Sequence, residues 1–115
     1  MKIEIAALII LGLLTSCAQM SFHPMDMAQA VQNARTHADH EALAKYYEDT
    51  AKEMQTKLQE HEEMLNQYEA QRQTYGKRGL DMEGMCRALI HFYGEAEKTN
   101  REMAKSHRQM AIEVK

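Results

Sequence analysis

The chain has 115 residues, with 27% charged residues and a formal net charge of −3. This length predicts a single domain, and this charge balance excludes both a strongly basic nucleic-acid-binding protein and an acidic disordered tail. Five glycines, one proline and few aromatic residues do not supply the turns and strands of a sheet protein, so the composition favours an all-α fold. Ten methionines and six histidines are high numbers for this length, so both residue types need a structural or a chemical explanation.

The first residues have the pattern of a secretory signal peptide. Met1 and Lys2 precede an apolar run over residues 5–14, and Thr15 and Ser16 are small and polar. An apolar run of about ten residues is too short to cross a hydrocarbon core of about 30 Å as a helix, but it fits the hydrophobic region of a signal peptide. We therefore predict that residues 1–16 are a signal peptide.

The segment Leu14-Thr15-Ser16-Cys17 resembles the lipobox of bacterial lipoproteins. The resemblance implies cleavage before Cys17, a diacylglycerol on its sulfur, and usually acylation of its new amino group by a chain such as palmitate. Ala18 follows the cysteine where some lipoproteins have Asp, which implies sorting to the outer membrane, on its periplasmic face. Two alternatives stay open: an ordinary signal peptide with an accidental cysteine, and an uncleaved anchor.

The two cysteines have different fates in the lipoprotein interpretation. Cys17 carries the lipid, and residues 17–26 form a tether between the membrane and the fold. Cys86 is then left without an intramolecular partner. In an oxidising periplasm such a thiol is buried, bound to a ligand or paired between chains.

Residues 27–115 are predicted to form a helical domain. Residues 27–75 contain neither Gly nor Pro and are rich in strong helix formers, so they predict a first helix. Gly76 can adopt the positive φ that ends a helix, and Asp81 can cap a second helix over residues 81–113. The expected fold is therefore an antiparallel helical hairpin.

The first helix has two candidate starting points. Asp26, with Gln29 three residues later, is typical of a helix N-terminus. Thr36 or Asp39 can cap a fresh start, which would break the first helix near residue 36 and leave a short third helix before it.

Both long helices carry a stripe of residues at alternating spacings of three and four, the pattern of helices that pack along one face. The first stripe is Ala44, Tyr47, Ala51, Met54, Leu58, His61, Leu65, Tyr68, Arg72 and Tyr75. The second is Met82, Cys86, Leu89, Tyr93, Ala96, Asn100, Met103, His107, Met110 and Val114. Two helices bury little apolar area, so either the short third helix packs back or two hairpins pair as a four-helix homodimer.

A weak internal repeat predicts which residues face each other. A shift of 46 residues places His40 on Cys86 and His61 on His107, among six similar positions. If this symmetry holds, the numbers of facing residues add up to 147, which pairs His40 with His107 and His61 with Cys86. A reversal centred near residue 77 favours a sum of about 154 instead, which displaces each pair by up to about 10 Å.

The predicted pairs offer ligands for a metal ion. His40 and His107 suit zinc or copper(II), and His61 with Cys86 offers the softer ligands that suit copper(I). A buried histidine can also bind haem, although no Cys-x-x-Cys-His motif for covalent haem occurs. The alternative interpretation is structural: histidine sets the register of the helix pair, methionine fills gaps in the core, and a buried cysteine is inert.

The leading prediction for function is a helical interaction or envelope module. The chain is expected to be held at the membrane by its N-terminal lipid, with a second copy or another envelope protein as its partner and no nucleic acid. No catalytic motif is complete, so we predict that the protein is not an enzyme. A periplasmic copper- or zinc-binding protein is the alternative hypothesis, and a non-covalent haem carrier is the third.

Overall fold

The computed structural model describes residues 26–115, and this part of the chain is all-α, as predicted. Three helices follow one another, α1 over Met27–Asn33, α2 over His37–Ala70 and α3 over Arg72–Glu113. Most of the packing is between α2 and α3. None of these helices is long and apolar enough to cross a membrane. The predicted signal peptide, Cys17 and all but the last residue of the predicted tether lie outside the described residues.

Side-chain caps fix where α1 and α2 begin. The Asp26 carboxylate accepts a hydrogen bond of 3.2 Å from the backbone N–H of Gln29, at the start of α1. At the start of α2, the Thr36 hydroxyl accepts from the N–H of Asp39 at 3.1 Å, and the Asp39 carboxylate accepts from the N–H of Thr36 at 2.9 Å. Because Thr36 and Asp39 satisfy each other's backbone, the helix breaks just before His37, where the sequence indicated.

The chain reverses between α2 and the body of α3, within residues 71–76. Gly76 has φ +56° and ψ −139°, and it interrupts α3 after one short turn. The predicted boundaries, 27–75 and 81–113, are therefore wrong at the reversal, because α2 already ends at Ala70 and residues 77–80 are helical. Gly79 lies inside the helix, and it must be glycine because a Cβ there would lie 2.6 Å from the Cβ of Tyr75. Close packing, and not a turn, requires this second glycine.

α2 and α3 run in opposite directions along each other. Arg87 donates to Glu69 at 2.7 Å near the reversal, and Arg108 pairs with Glu48 near the open end. The residue numbers in each of these pairs add up to 156. Other contacts between the helices add up to smaller numbers, down to 147 for His40 with His107. The contacts therefore span the sum of about 154 favoured by the reversal and the sum of 147 favoured by the internal repeat.

The helix pair packs through small residues and one large one. In the part of the chain that the structure describes, the fully buried apolar residues are Leu43, Ala44, Ala51, Cys86, Ala104 and Ala111. α1 contributes no buried residue of its own. This core is small for a domain of this length, because alanine buries little apolar area.

The predicted stripe is right on α2 and half wrong on α3. From Ala44 to Tyr68 its members are buried or half-buried. On α3 the stripe that packs on α2 is Gly79, Glu83, Cys86, Ile90, Tyr93, Glu97, Asn100, Ala104, His107 and Ala111. Only four members of the predicted stripe belong to it. The small residues of the observed stripe let the two backbones approach closely, which the larger methionines of the predicted one would prevent.

Candidate functional site

The structure brings the predicted residues His40 and His107 together near the open end of the helix pair. Their Nδ1 atoms lie 3.2 Å apart. His107 is only 6% exposed, and its other neighbour is the ring of Tyr47, with ring centres 5.5 Å apart and ring planes 8° from parallel. One turn earlier on α2, His37 donates from Nδ1 to the carbonyl oxygen of Ala111 at 2.9 Å. Imidazoles therefore tie the start of α2 to the end of α3.

The two rings meet edge to edge. The ring centres lie 5.5 Å apart and the two Nδ1 atoms lie 3.2 Å apart. The difference is about twice the distance from the centre of an imidazole ring to one of its atoms. Both Nδ1 atoms therefore lie close to the line that joins the ring centres. One Nδ1–H then points at the lone pair of the other Nδ1, the geometry of a hydrogen bond between neutral imidazoles. A zinc or copper ion needs about 2.0–2.1 Å to each nitrogen, so it does not fit on that line unless the rings move.

Burial lowers the pKa of His107, and the nearby charge of His40 lowers it further. Both effects favour the neutral imidazole that the hydrogen bond requires. Among the described residues no group of three or more His, Cys, Asp or Glu side chains is placed to share a metal ion. Zinc, copper or haem at His40 and His107 stays a prediction from the sequence.

The second predicted pair, His61 with Cys86, is not formed. The His61 ring stacks on Tyr93, with ring centres 5.5 Å apart and planes 16° from parallel. Cys86 is a buried free thiol two helical turns away from Tyr93. The pairing was wrong because it assumed a sum of 147 along the whole helix pair, whereas His61 contacts Tyr93, for which the sum is 154. Its Nδ1 is buried without a hydrogen-bond partner.

A buried ion-pair cluster at the reversal was missed in the sequence. Glu83 is 1% exposed, and Arg72 donates two hydrogen bonds to its carboxylate, from Nε at 2.8 Å and from Nη2 at 2.9 Å. Arg87 donates to the same carboxylate at 3.3 Å and also binds Glu69. The bonds from Arg72 lower the pKa of Glu83 against the opposing effect of burial. The spacing of four residues between Glu83 and Arg87 indicates an ion pair on one helix. The sequence does not indicate that Arg72, across the reversal, binds the same carboxylate.

An apolar stripe on α3 faces solvent beside the packed face, and we call it the α3 stripe. Its positions alternate by three and four residues: Met82, Met85, Leu89, Phe92, Ala96, Thr99, Met103, Ser106 and Met110. All except the half-buried Ala96 are exposed, and Phe92 is 60% exposed. No position of the stripe is charged over a length of about 42 Å, at about 1.5 Å per residue. Large exposed apolar patches mark interaction sites in soluble proteins.

The sequence predicted part of the α3 stripe, but assigned those residues to the face that packs on α2. The predicted packing stripe already contained Met82 and Leu89, but it combined them with Cys86 and Tyr93, which pack on α2. Met85 and Phe92 complete the exposed face, which lies next to the packed face at the same alternating spacing.

No protein-family model, curated protein sequence or solved structure matches the chain. Function is therefore inferred from the His40–His107 pair, the Glu83 cluster and the α3 stripe. The first two join parts of the same helix pair, and the hydrogen bonds described for them are made between its own residues. Of the three, the stripe is the one that leaves large apolar side chains exposed in the described part of the chain.

Proposed function

We propose that the protein is a membrane-anchored helical interaction module, and that the α3 stripe is its binding surface. The single observation that carries the proposal is the exposure of large apolar side chains at coiled-coil spacing along α3. A helix with such a stripe lays its apolar face against a partner helix, because burial in water is favourable by about 25 cal/mol per Å². The module acts by binding and has no catalytic role.

The proposal includes a location in the bacterial cell envelope. The lipobox-like segment ending at Cys17 supports lipid attachment, and Ala18 supports the periplasmic face of the outer membrane. Several acyl chains give stable anchoring, whereas one chain binds only marginally. An anchor confines the module to a surface, which raises the effective concentration of any partner held at that same surface.

A charged residue in the middle of the α3 stripe tests the proposal. The full chain and its Phe92→Asp variant are purified from the membrane fraction in mild detergent, and the protein mass of each particle is measured by light scattering. The matched control is Ile112→Asp, because Ile112 is 73% exposed on α3 but lies outside the stripe. Circular dichroism checks that all three chains are equally helical.

We expect the wild type and Ile112→Asp to form particles heavier than one chain, and Phe92→Asp to be monomeric. The added mass is either a second copy or another envelope protein. A wild-type protein that stays a single chain at high micromolar concentration and captures nothing from solubilised envelopes would refute the proposal.

A further inference from the structure

We infer that the α3 stripe is covered by the same stripe of a second copy, running antiparallel, with the two-fold axis beside Gly94. This inference rests on the proposed function and names its partner. It predicts a four-helix assembly in which the two α3 helices form the central contact and the two α2 helices lie outside.

The size of the side chains along the α3 stripe supports a second copy. The large residues Met82, Met85, Leu89 and Phe92 occupy its first half, and the small residues Ala96, Thr99 and Ser106 dominate its second half. An antiparallel partner brings the first half of one stripe against the second half of the other. Large side chains then face small ones, as dense packing between helices requires.

One register achieves this complementarity over residues 82–106 of the stripe. When the numbers of facing residues add up to 188, the facing pairs are Met82 with Ser106, Met85 with Met103, Leu89 with Thr99, and Phe92 with Ala96. The only large pair is thus formed by two methionines, which adapt well to irregular space. A parallel partner would instead place Phe92 on Phe92 and Ala96 on Ala96, which forces the helices apart at one layer and leaves a gap at the next.

The charges at the two ends of the α3 stripe are complementary in the same register. Arg78 continues the spacing before Met82, and Glu113 continues it after Met110. In the antiparallel register, Arg78 of each copy lies within one turn of Glu113 of the other. A parallel dimer would bring the two Arg78 side chains together and the two Glu113 side chains together.

The register also uses the whole length of the helix pair. Tyr75, at the reversal, falls opposite Glu113, at the end of α3, so neither end overhangs. Within one copy, Leu43 is the only fully buried apolar residue larger than cysteine among the described residues. The second copy supplies the large apolar contacts that the helix pair lacks on its own, since small domains depend on such additional burial.

Photocrosslinking tests the partner and its direction together. The full-length chain carries p-benzoylphenylalanine in place of Ser106, is expressed in a bacterial host and is irradiated in isolated membranes. We expect an adduct of two chains, in which mass spectrometry finds position 106 joined to Met82 or Met85. Positions 82 and 106 of one chain lie about 36 Å apart on the same helix, so this link forms only between copies.

Two controls accompany this experiment. The photoreactive residue in place of the exposed Lys105, on another face of α3, should give no adduct, and Phe92→Asp should remove the adduct formed from position 106. A link between position 106 and the same region of the second copy refutes the antiparallel register. An adduct with a different protein refutes the second copy but leaves the proposed function standing. No adduct of any kind from position 106 counts against both.

Discussion

Truncation of Leu43 should cost far more stability than the same truncation of Leu80. Leu43 is 1% exposed and lies in the contact between α2 and α3, whereas Leu80 is 55% exposed on α3. Truncation of a fully buried Leu to Ala loses the transfer free energy of the removed atoms and leaves a cavity, at a total cost of about 2–5 kcal/mol. An exposed Leu loses little on truncation, and alanine is the better helix former, so Leu80→Ala should stay within about 0.5 kcal/mol of wild type.

These magnitudes predict a large difference in thermal unfolding. For a domain of 60–100 residues, 1 kcal/mol shifts Tm by about 4–8 °C, so Leu43→Ala should lower Tm by at least roughly 10 °C. Circular dichroism at a helical wavelength, followed through heating and through urea titration, measures both variants against the wild type. Equal losses in the two variants, or a larger loss in Leu80→Ala, would show that Leu43 is not in the core and would refute the packing of α2 on α3.

Four further predictions concern the reversal, the imidazole pair, the axis of the proposed dimer and the proposed anchor. Gly76→Ala should destabilise the fold by about 1–3 kcal/mol in urea titration, because φ +56° with ψ −139° suits only glycine although no atom blocks a Cβ there; an unchanged midpoint would contradict this backbone. The pKa of His107 is lowered in the folded chain from its ordinary value of 6.5, so protons bind more readily to the unfolded chain as the pH falls through this value. The urea concentration at the unfolding midpoint should therefore be lower at pH 5.5 than at pH 7.5. His107→Gln should reduce this difference. Glu95→Gln should tighten the proposed dimer roughly twofold in sedimentation equilibrium, because only the antiparallel register places Glu95 beside Glu95 of the second copy, and a like-charge pair costs about 0.2–0.5 kcal/mol. Cys17→Ser should move the chain from the membrane to the soluble fraction, and the intact mass of the wild type should include acyl chains; a wild type without lipid would remove the anchor.

Local signals in the sequence predicted the all-α fold and the residues at which α1 and α2 begin. The all-α fold follows from composition, and the caps at Asp26 and Thr36 depend on side chains within three residues of the backbone groups they satisfy. Gly76 was predicted to adopt positive φ for the same local reason. The reversal was misplaced because Gly79 resembles a loop residue in the sequence, whereas its role is to let Tyr75 approach.

The relation between the helices was harder to predict because it depends on contacts distant in the sequence. Spacings of three and four fit two adjacent stripes on α3, and the choice between them is made by small residues and by the Glu83 carboxylate, which must reach Arg72. The register of His61 depends on how many residues the reversal takes up, so an error there displaced Cys86 by two turns. His40 still meets His107, because the contacting residues at the open end, His40 with His107 and His37 with Ala111, add up to 147 and 148, close to the sum that the repeat favours.

The Glu83 cluster has a consequence for the order in which the molecule folds. Arg72 and Glu83 are eleven residues apart in sequence, so their contact closes a short loop at small entropic cost, whereas His40 and His107 are separated by 67 residues. Assembly should begin at the reversal and proceed toward the termini, with the imidazoles meeting last. Amide protons at the start of α2 and the end of α3 should therefore exchange with solvent sooner than those beside Glu83.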